Sequence, residues 1–425
     1  DDELGLISPL PAYAWSKASD NGPTLDFTKP ANAKKIYDYL NKASKSVTTY
    51  ASNPLWQAVD GPYKLTSFNN TSGAFTMAPN KSYGGPHAKI VSNLQAVPFT
   101  SDDAEFNAVK AGSIDLGYMP QTDVPQAATI KSAGYNVFGY PGFGWSYLTY
   151  NFLDKTNSFN KIIGQLYFRQ AFAHLQNEKA IIKAFFHGAG GEAYGSIPSL
   201  PVSPYAPANA LHNPYPYSVD TAVKILKAHG WTVNPGGTDV CANPGTGANQ
   251  CGEGIAKGTK LAFNIIYSTS PAIIGQQITE LTSQAKKAGI NISLSTSNFN
   301  FMISNYDDAA PAGKKNVDKW AMMDFGGFSE NIYPTTSEVF NTGGSFNIGG
   351  YSDPHADKLI ELSTKGTNGD AVTNEVSYLT AQQPSLFQAL PDGISVWKKT
   401  LSGDPKAFEE TTQFQLPAEF MYFTK

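Results

Sequence analysis

The sequence predicts an α/β protein with mixed sheets in at least two domains, and three observations carry that prediction. The chain has 425 residues, well beyond the roughly 150 expected of one domain. From Lys260 onward Leu261, Phe263, Ile265 and Tyr267 alternate as in a strand. Ile274, Ile278, Leu281, Ala285 and Ala288 then recur with helical spacing, Gly289 stops the helix, and Ile290, Ile292 and Leu294 alternate again. That pattern is a βαβ unit, whose two strands run parallel in one sheet. Between Asp60 and Ala78, by contrast, a turn and two short runs read as a hairpin.

Taken in order, Ala33 to Lys45 carries Ile36, Tyr39, Leu40 and Ala43 at helical spacing. The turn at Asp60-Gly61-Pro62 opens a strand to Phe68, with Phe75 to Ala78 as its partner, and Lys89 to Leu94 is a further short strand. Asp102 to Ala111 is a helix with a capping box of Asp102 and Glu105, stopped by Gly112. Ile114 to Tyr118 follows as a strand, so the strands flanking that helix are expected to pair in parallel. Trp145 to Asn151 reads as a strand, Gln165 to Leu175 and Glu178 to Phe186 as helices, and Gly188 to Pro216 as loop. Val219, Ala222, Val223 and Leu226 give an amphipathic helix that ends at Gly230. After the βαβ unit come a buried strand at Lys319 to Phe325 and a helix at Ala356 to Leu362.

Composition narrows the function. The net charge is −4, without the basic excess of a nucleic-acid-binding surface. Aromatic residues make up 12%, the opposite of a disordered composition. No run of about 18 apolar residues is present to form a membrane-spanning helix. The only two cysteines, Cys241 and Cys251, bracket a Gly-, Asn- and Pro-rich stretch and are expected to close it as a disulfide, which implies an oxidising, extracytoplasmic setting. Phosphate-binding, dinucleotide-binding and zinc-protease motifs are missing, and Gly144-Trp145-Ser146 lacks the last glycine of a nucleophile elbow. The histidines sit singly, and the adjacent pairs Asp307-Asp308 and Glu409-Glu410 read as solvated faces. No catalytic residue, metal site or cofactor is expected. A secreted hydrolase remains the alternative of a different class, since a triad can be scattered along a chain.

Several segments, in order, carry a resemblance. They are Asp60-Gly61-Pro62-Tyr63-Lys64-Leu65, Asn80-Lys81-Ser82-Tyr83-Gly84-Gly85 and Ala108-Val109-Lys110-Ala111-Gly112-Ser113-Ile114-Asp115. Tyr147-Leu148-Thr149-Tyr150-Asn151 followed by Phe168-Arg169-Gln170-Ala171-Phe172, the Ala222 to Trp231 helix, and Asn347 through Ile360 complete the set. Together they resemble the bacterial extracellular solute-binding proteins of family 5, the peptide/nickel-type ligand-capturing subunits of ABC importers. One departure is Asn177-Glu178-Lys179, where the family often has Asp-Arg.

The resemblance implies a two-lobed, periplasmic-binding-protein-like fold of the large peptide-binding type. Residues 1–146 would form domain I, lacking its N-terminal portion, residues 147–388 domain II, and 389–425 the return to domain I. It implies a monomer that is no enzyme and holds no cofactor. Such a protein is extracellular, either membrane-anchored on the cell surface as a lipoprotein or periplasmic. It would capture an oligopeptide or other small solute and deliver it to ABC transporter permease subunits, with no nucleic-acid partner. An oligosaccharide is the alternative ligand within the family, and a nickel chelate a third. In peptide-binding relatives an acidic residue after the buried strand accepts the ligand's amino terminus, which points to Glu330 first and Asp324 second. Phe325, Phe328 and Trp145 would supply apolar walls. Arg169, the only arginine in the chain, falls in a helix motif where an ion pair or helix packing is expected of it.

Overall fold

The computed structural model describes residues 10–85, 91–306, 320–330, 333–366, 369–403 and 418–424. The acidic pairs 307–308 and 409–410 lie outside them. The first sheet is an antiparallel meander of β1 (Tyr63–Phe68), β2 (Phe75–Pro79) and β3 (Leu94–Ala96), with a bulge between Leu65 and Ser67. The strand expected over 89–94 starts only at Leu94; Lys89 and Ile90 lie outside the described residues.

The helix Asp102–Lys110 forms as expected, but its cap sits one residue earlier. Ser101 is extended, and its side chain accepts from the Ala104 N–H at 3.2 Å. Asp102 and Glu105 therefore form no capping box, and Glu105 Oε1 accepts instead from the backbone N–H of Tyr118 at 2.9 Å. The strands on either side of this helix do not pair in parallel either. β3 pairs with β2, whereas β4 (Leu116–Tyr118) belongs to another sheet, where it and β5 (Tyr135–Tyr140) both lie antiparallel to β16 (Gly393–Lys398), which arrives from the far end of the chain. Phe106, Val109, Ile130, Ile394 and Val396 pack together beneath this sheet.

The chain then passes from β5 into β6 (Gly144–Tyr150), the centre of the large sheet. There β11 (Asn291–Ser297), β10 (Ala262–Ser268) and β12 (Met322–Asp324) run parallel, joined across the helix Ala272–Lys287 as the βαβ pattern requires. β12 pairs antiparallel with Tyr150 and Thr149 of β6, and β13 (Gly327–Ser329) with Ser146 to Gly144. β14 (Ser385–Gln388) takes the other edge of β6. All seven residues of β6 are buried, because helices cover both faces of the sheet. Leu148 and Tyr150 pack under the helices Leu166–Ala173, Val219–Ala228 and Ala272–Lys287. Trp145 and Tyr147 point the other way, into a core with Phe340, Tyr351, Ile360, Leu379 and Phe387.

The return runs from β14 through β15 (Leu390–Pro391), which pairs with β7 (Gly190–Gly191), and into β16. Cys241 and Cys251 form the expected disulfide, both buried, beside the short pair β8 (Trp231–Thr232) and β9 (Val240–Cys241). β17 (Leu401–Ser402) and β18 (Tyr422–Phe423) make a last small pair. Arg169 is buried and binds carbonyls: Nε donates to Gln382 O at 2.8 Å, and Nη1 to Ile163 O at 2.7 Å and Gly164 O at 3.1 Å. Its guanidinium thus ties helix ends together. Among the described residues, no helix is long and apolar enough to cross a membrane.

Candidate functional site

Because β10, β11 and β12 are parallel, their C-terminal ends share one edge of the sheet, the edge outside which ligands bind in open α/β sheets. Ser268, Ser297 and Asp324 end those strands. Two helices begin beside that edge, Ala272–Lys287 and Phe299–Tyr306. The second is capped by Asn298 Oδ1, which accepts from the Phe301 N–H at 2.9 Å. From across the edge, Asp102 Oδ1 accepts from Ser270 Oγ at 3.4 Å, so the N-terminus of the helix Asp102–Lys110 approaches the same place.

The register of the β12–β13 edge contains one extra residue. Met323 faces Thr149, whereas Gly327 faces Ser146. Asp324, Phe325 and Gly326 span this bulge, and Gly326 takes φ +107°, which a side chain would resist. A bulge re-aims the side chains on it. Asp324 is 1% exposed. Its Oδ1 accepts from the Gly326 N–H at 3.0 Å, while Oδ2 has no hydrogen-bond partner among the described residues. Burial pushes its pKa up to about 7, against the opposing pull of the Gly326 N–H and the Gln388 side chain. Tyr147 is pushed up as well, by burial first and by the nearby charge of Asp324 second.

Glu330, 5% exposed, follows β13. Its N–H donates to Phe143 O at 2.9 Å, and its Oε1 accepts from Trp145 Nε1 at 2.8 Å. Five rings close a circuit between the two carboxylates. Phe325 meets Tyr147 at 5.7 Å, Tyr147 meets Trp145 at 4.7 Å, and Trp145 meets Phe328 at 5.8 Å. Phe328 meets Phe346 at 5.9 Å, which returns to Phe325 at 6.1 Å. Most of these contacts are tilted or edge-on, the geometry that ring quadrupoles favour.

Asp324, Phe325, Phe328, Glu330 and Trp145 are thus brought together on β6 and its partner strand. They are not equally placed. Trp145 is wholly buried and packs on Phe340 and Phe387, as a core residue does. Phe325 and Phe328 are half-buried. Tyr147, Phe346 and Gln388 belong to the same cluster and went unremarked as site residues. Tyr147 had a signal, since it stands two residues from Trp145 and so shares its face of the strand. Among the described residues, no three His, Cys, Asp or Glu side chains converge as a metal site would need. A cavity of about 650 Å³ between the helix Glu178–Ala184 and the β7 segment shares none of the site residues.

A mixed sheet entered and left by separate crossings, with a second, smaller sheet built from both ends of the chain, is the fold of the two-lobed solute-binding proteins. It is similar to the oligopeptide-binding protein of Bacillus subtilis solved with a nonapeptide, at TM-score 0.70 and 16% identity, covering 95% of this chain and 72% of that one. It is also similar to NikA of Staphylococcus aureus solved with Ni(L-His)2, at TM-score 0.61 and 15% identity over 81% and 65% of the two chains. The chain belongs to the bacterial extracellular solute-binding proteins, family 5, whose middle-segment profile matches residues 12–344. Among curated proteins, a probable ABC transporter-binding protein of Deinococcus radiodurans is 24% identical over 307 residues, 69% of this chain and 48% of that protein. The alignment therefore spans about half the length of that relative.

Proposed function

We propose that this protein captures peptides by their free amino terminus and passes them to the membrane subunits of an ABC importer, outside the cytoplasm and without a covalent step. Because β6 starts at Gly144 and lies wholly in the large sheet, the lobe boundary expected after residue 146 moves to 143. Residues 1–143 with 389–425 would form one lobe and 144–388 the other, closing over the ligand through the crossings at 141–143 and 389–392. The observation that carries this reading is Asp324. A buried carboxylate with an unpaired oxygen is costly, and the cost is offset when an ammonium arrives, holds the carboxylate ionised and donates a charge-assisted hydrogen bond to it. Each acid has one oxygen engaged, Asp324 by the Gly326 N–H and Glu330 by the Trp145 indole, and we place the anchor on Asp324 because its other oxygen is buried with no hydrogen-bond partner among the described residues. The half-buried rings of the circuit are phenylalanines, with no polar handle for sugar hydroxyls, which favours a peptide over an oligosaccharide.

The test is calorimetric titration with trialanine and N-acetyl-trialanine. Acetylation, or Asp324→Asn, is expected to weaken binding by about 1.5–3 kcal/mol, the scale of a hydrogen bond to a charged group. Equal affinity for the free and acetylated peptides would remove the amino-terminal anchor.

A further inference from the structure

The ring circuit has one open side. Phe299 is 45% exposed, a large apolar residue on the first turn of a helix whose other exposed ring is Phe301 and which is held to the core through Met302. Met302 of the same helix is fully buried against Ile266, Trp320, Met323 and Ile348, so the helix holds Phe299 in place. The Phe299 ring meets Phe325 edge-on at 5.8 Å. Phe325 in turn meets Tyr147 and Phe346. The series thus runs from a wholly buried interior, through a half-buried ring, to an exposed one. Phe325 follows Asp324 directly, at the bulge that turns both away from regular strand geometry.

Consecutive Cα atoms are 3.8 Å apart, and an extended peptide advances roughly 3.3 Å per residue. A ligand whose ammonium sits on Asp324 would therefore bring its first or second side chain alongside Phe325 and Phe299. No charged side chain belongs to this series of rings. We infer that Phe299 and Phe325 form a specificity subsite for a large apolar or aromatic side chain at one of the first two positions of the bound peptide. This rests on the peptide reading above. A subsite of this kind selects by contact area and ring geometry; a charged side chain placed there would lose water with nothing to replace it.

The experiment is titration calorimetry on the full chain with Ala-Ala-Ala, Phe-Ala-Ala, Ala-Phe-Ala, Ala-Ala-Phe, Asp-Ala-Ala and Ala-Asp-Ala. Phenylalanine at position one or two is expected to tighten binding roughly tenfold over trialanine, the scale of one ring contact with its buried area. At position three it adds little, and aspartate at the favoured position weakens binding. In Phe299→Ala the preference for phenylalanine over alanine shrinks at least several-fold, and in Phe299→Leu it is largely kept. A flat profile across the six peptides, or a preference that survives Phe299→Ala intact, would overturn the subsite and leave the peptide reading standing. Failure of all six to bind would overturn the peptide reading and the subsite with it.

Discussion

Two buried carboxylates in this protein look alike in isolation and differ in what surrounds them. Glu375, on the helix Ala371–Gln382, is fully buried. Its Oε1 accepts from the Thr336 N–H at 3.1 Å and from the Thr336 hydroxyl, and its Oε2 from the Ser363 hydroxyl. It staples three segments together, with both oxygens used. Asp324 is equally buried but receives the Gly326 N–H on one oxygen, while the other has no partner among the described residues. Burial raises the pKa of both. The difference lies in what the chain gains from each. Glu375 returns its desolvation cost as cohesion between helices. Asp324 accepts from the neighbouring Gly326 N–H and feels the Gln388 side chain, so it ties fewer segments together than Glu375 does, and on the proposed function its unpaired oxygen is the acceptor for the ligand.

The comparison breaks most visibly at Glu375. Glu375→Ala leaves the Thr336 hydroxyl and its backbone N–H buried without this acceptor and opens a cavity, while the Ser363 hydroxyl can still donate to Ile360 O. We expect it to lower unfolding stability by about 3–5 kcal/mol, since each orphaned group costs roughly 1–3 kcal/mol. Urea denaturation followed by tryptophan fluorescence measures this. A loss under 1 kcal/mol would mean that Glu375 is as dispensable to the fold as Asp324.

At Asp324 the effect should have the opposite sign. Its pKa rises from 3.8 to about 7 on folding, so between those values the folded state holds a proton that the unfolded state has released. Its contribution is most favourable near pH 4 and is lost as pH rises through 7. Asp324→Asn removes that penalty and should stabilise the ligand-free protein by about 2–4 kcal/mol at pH 8, while changing little near pH 4. Thermal unfolding of both proteins at the two pH values gives the answer. A variant less stable than the parent at pH 8 would mean that the ionised carboxylate has a structural partner. Peptide binding should run the other way, weakening as pH falls below 7 and Asp324 takes up its proton.

How much of this was legible in the sequence depends on the range of the signal. The βαβ unit at 260–297 reads directly because its period changes from two to 3.6 and back within one stretch. The β4–β16–β5 sheet does not, since β16 comes from the other end of the chain and nothing in residues 114–140 announces it. The cap of the helix at 102 was misplaced by one residue because Ser101 and Asp102 are both good caps, and only the extended backbone at Ser101 decides between them. In the candidate site, resemblance pointed to the segment 324–330, and the fold brings its residues together beside β6. The ranking of its two acids could not be read there. It depends on a bulge that inserts one residue between β12 and β13, and on an indole 185 residues away that donates to Glu330.

That ranking is the finest point of the comparison, and Glu330→Gln sharpens it. The glutamine carbonyl can still accept from Trp145 Nε1, so the ring circuit should persist and stability should change by no more than about 1 kcal/mol, the net worth of one hydrogen bond. If Asp324 carries the ammonium, Glu330→Gln shifts trialanine affinity by less than about threefold, whereas Asp324→Asn costs ten times or more. The reverse order in the same calorimetric series would move the anchor to Glu330. The spare oxygen of Asp324 would then be a desolvation cost that ligand binding does not relieve, and its resemblance to Glu375 would be closer than the hydrogen bonds suggest. Both variants keep the size of the side chain and remove only its charge, so the difference between them isolates which carboxylate faces the amino terminus.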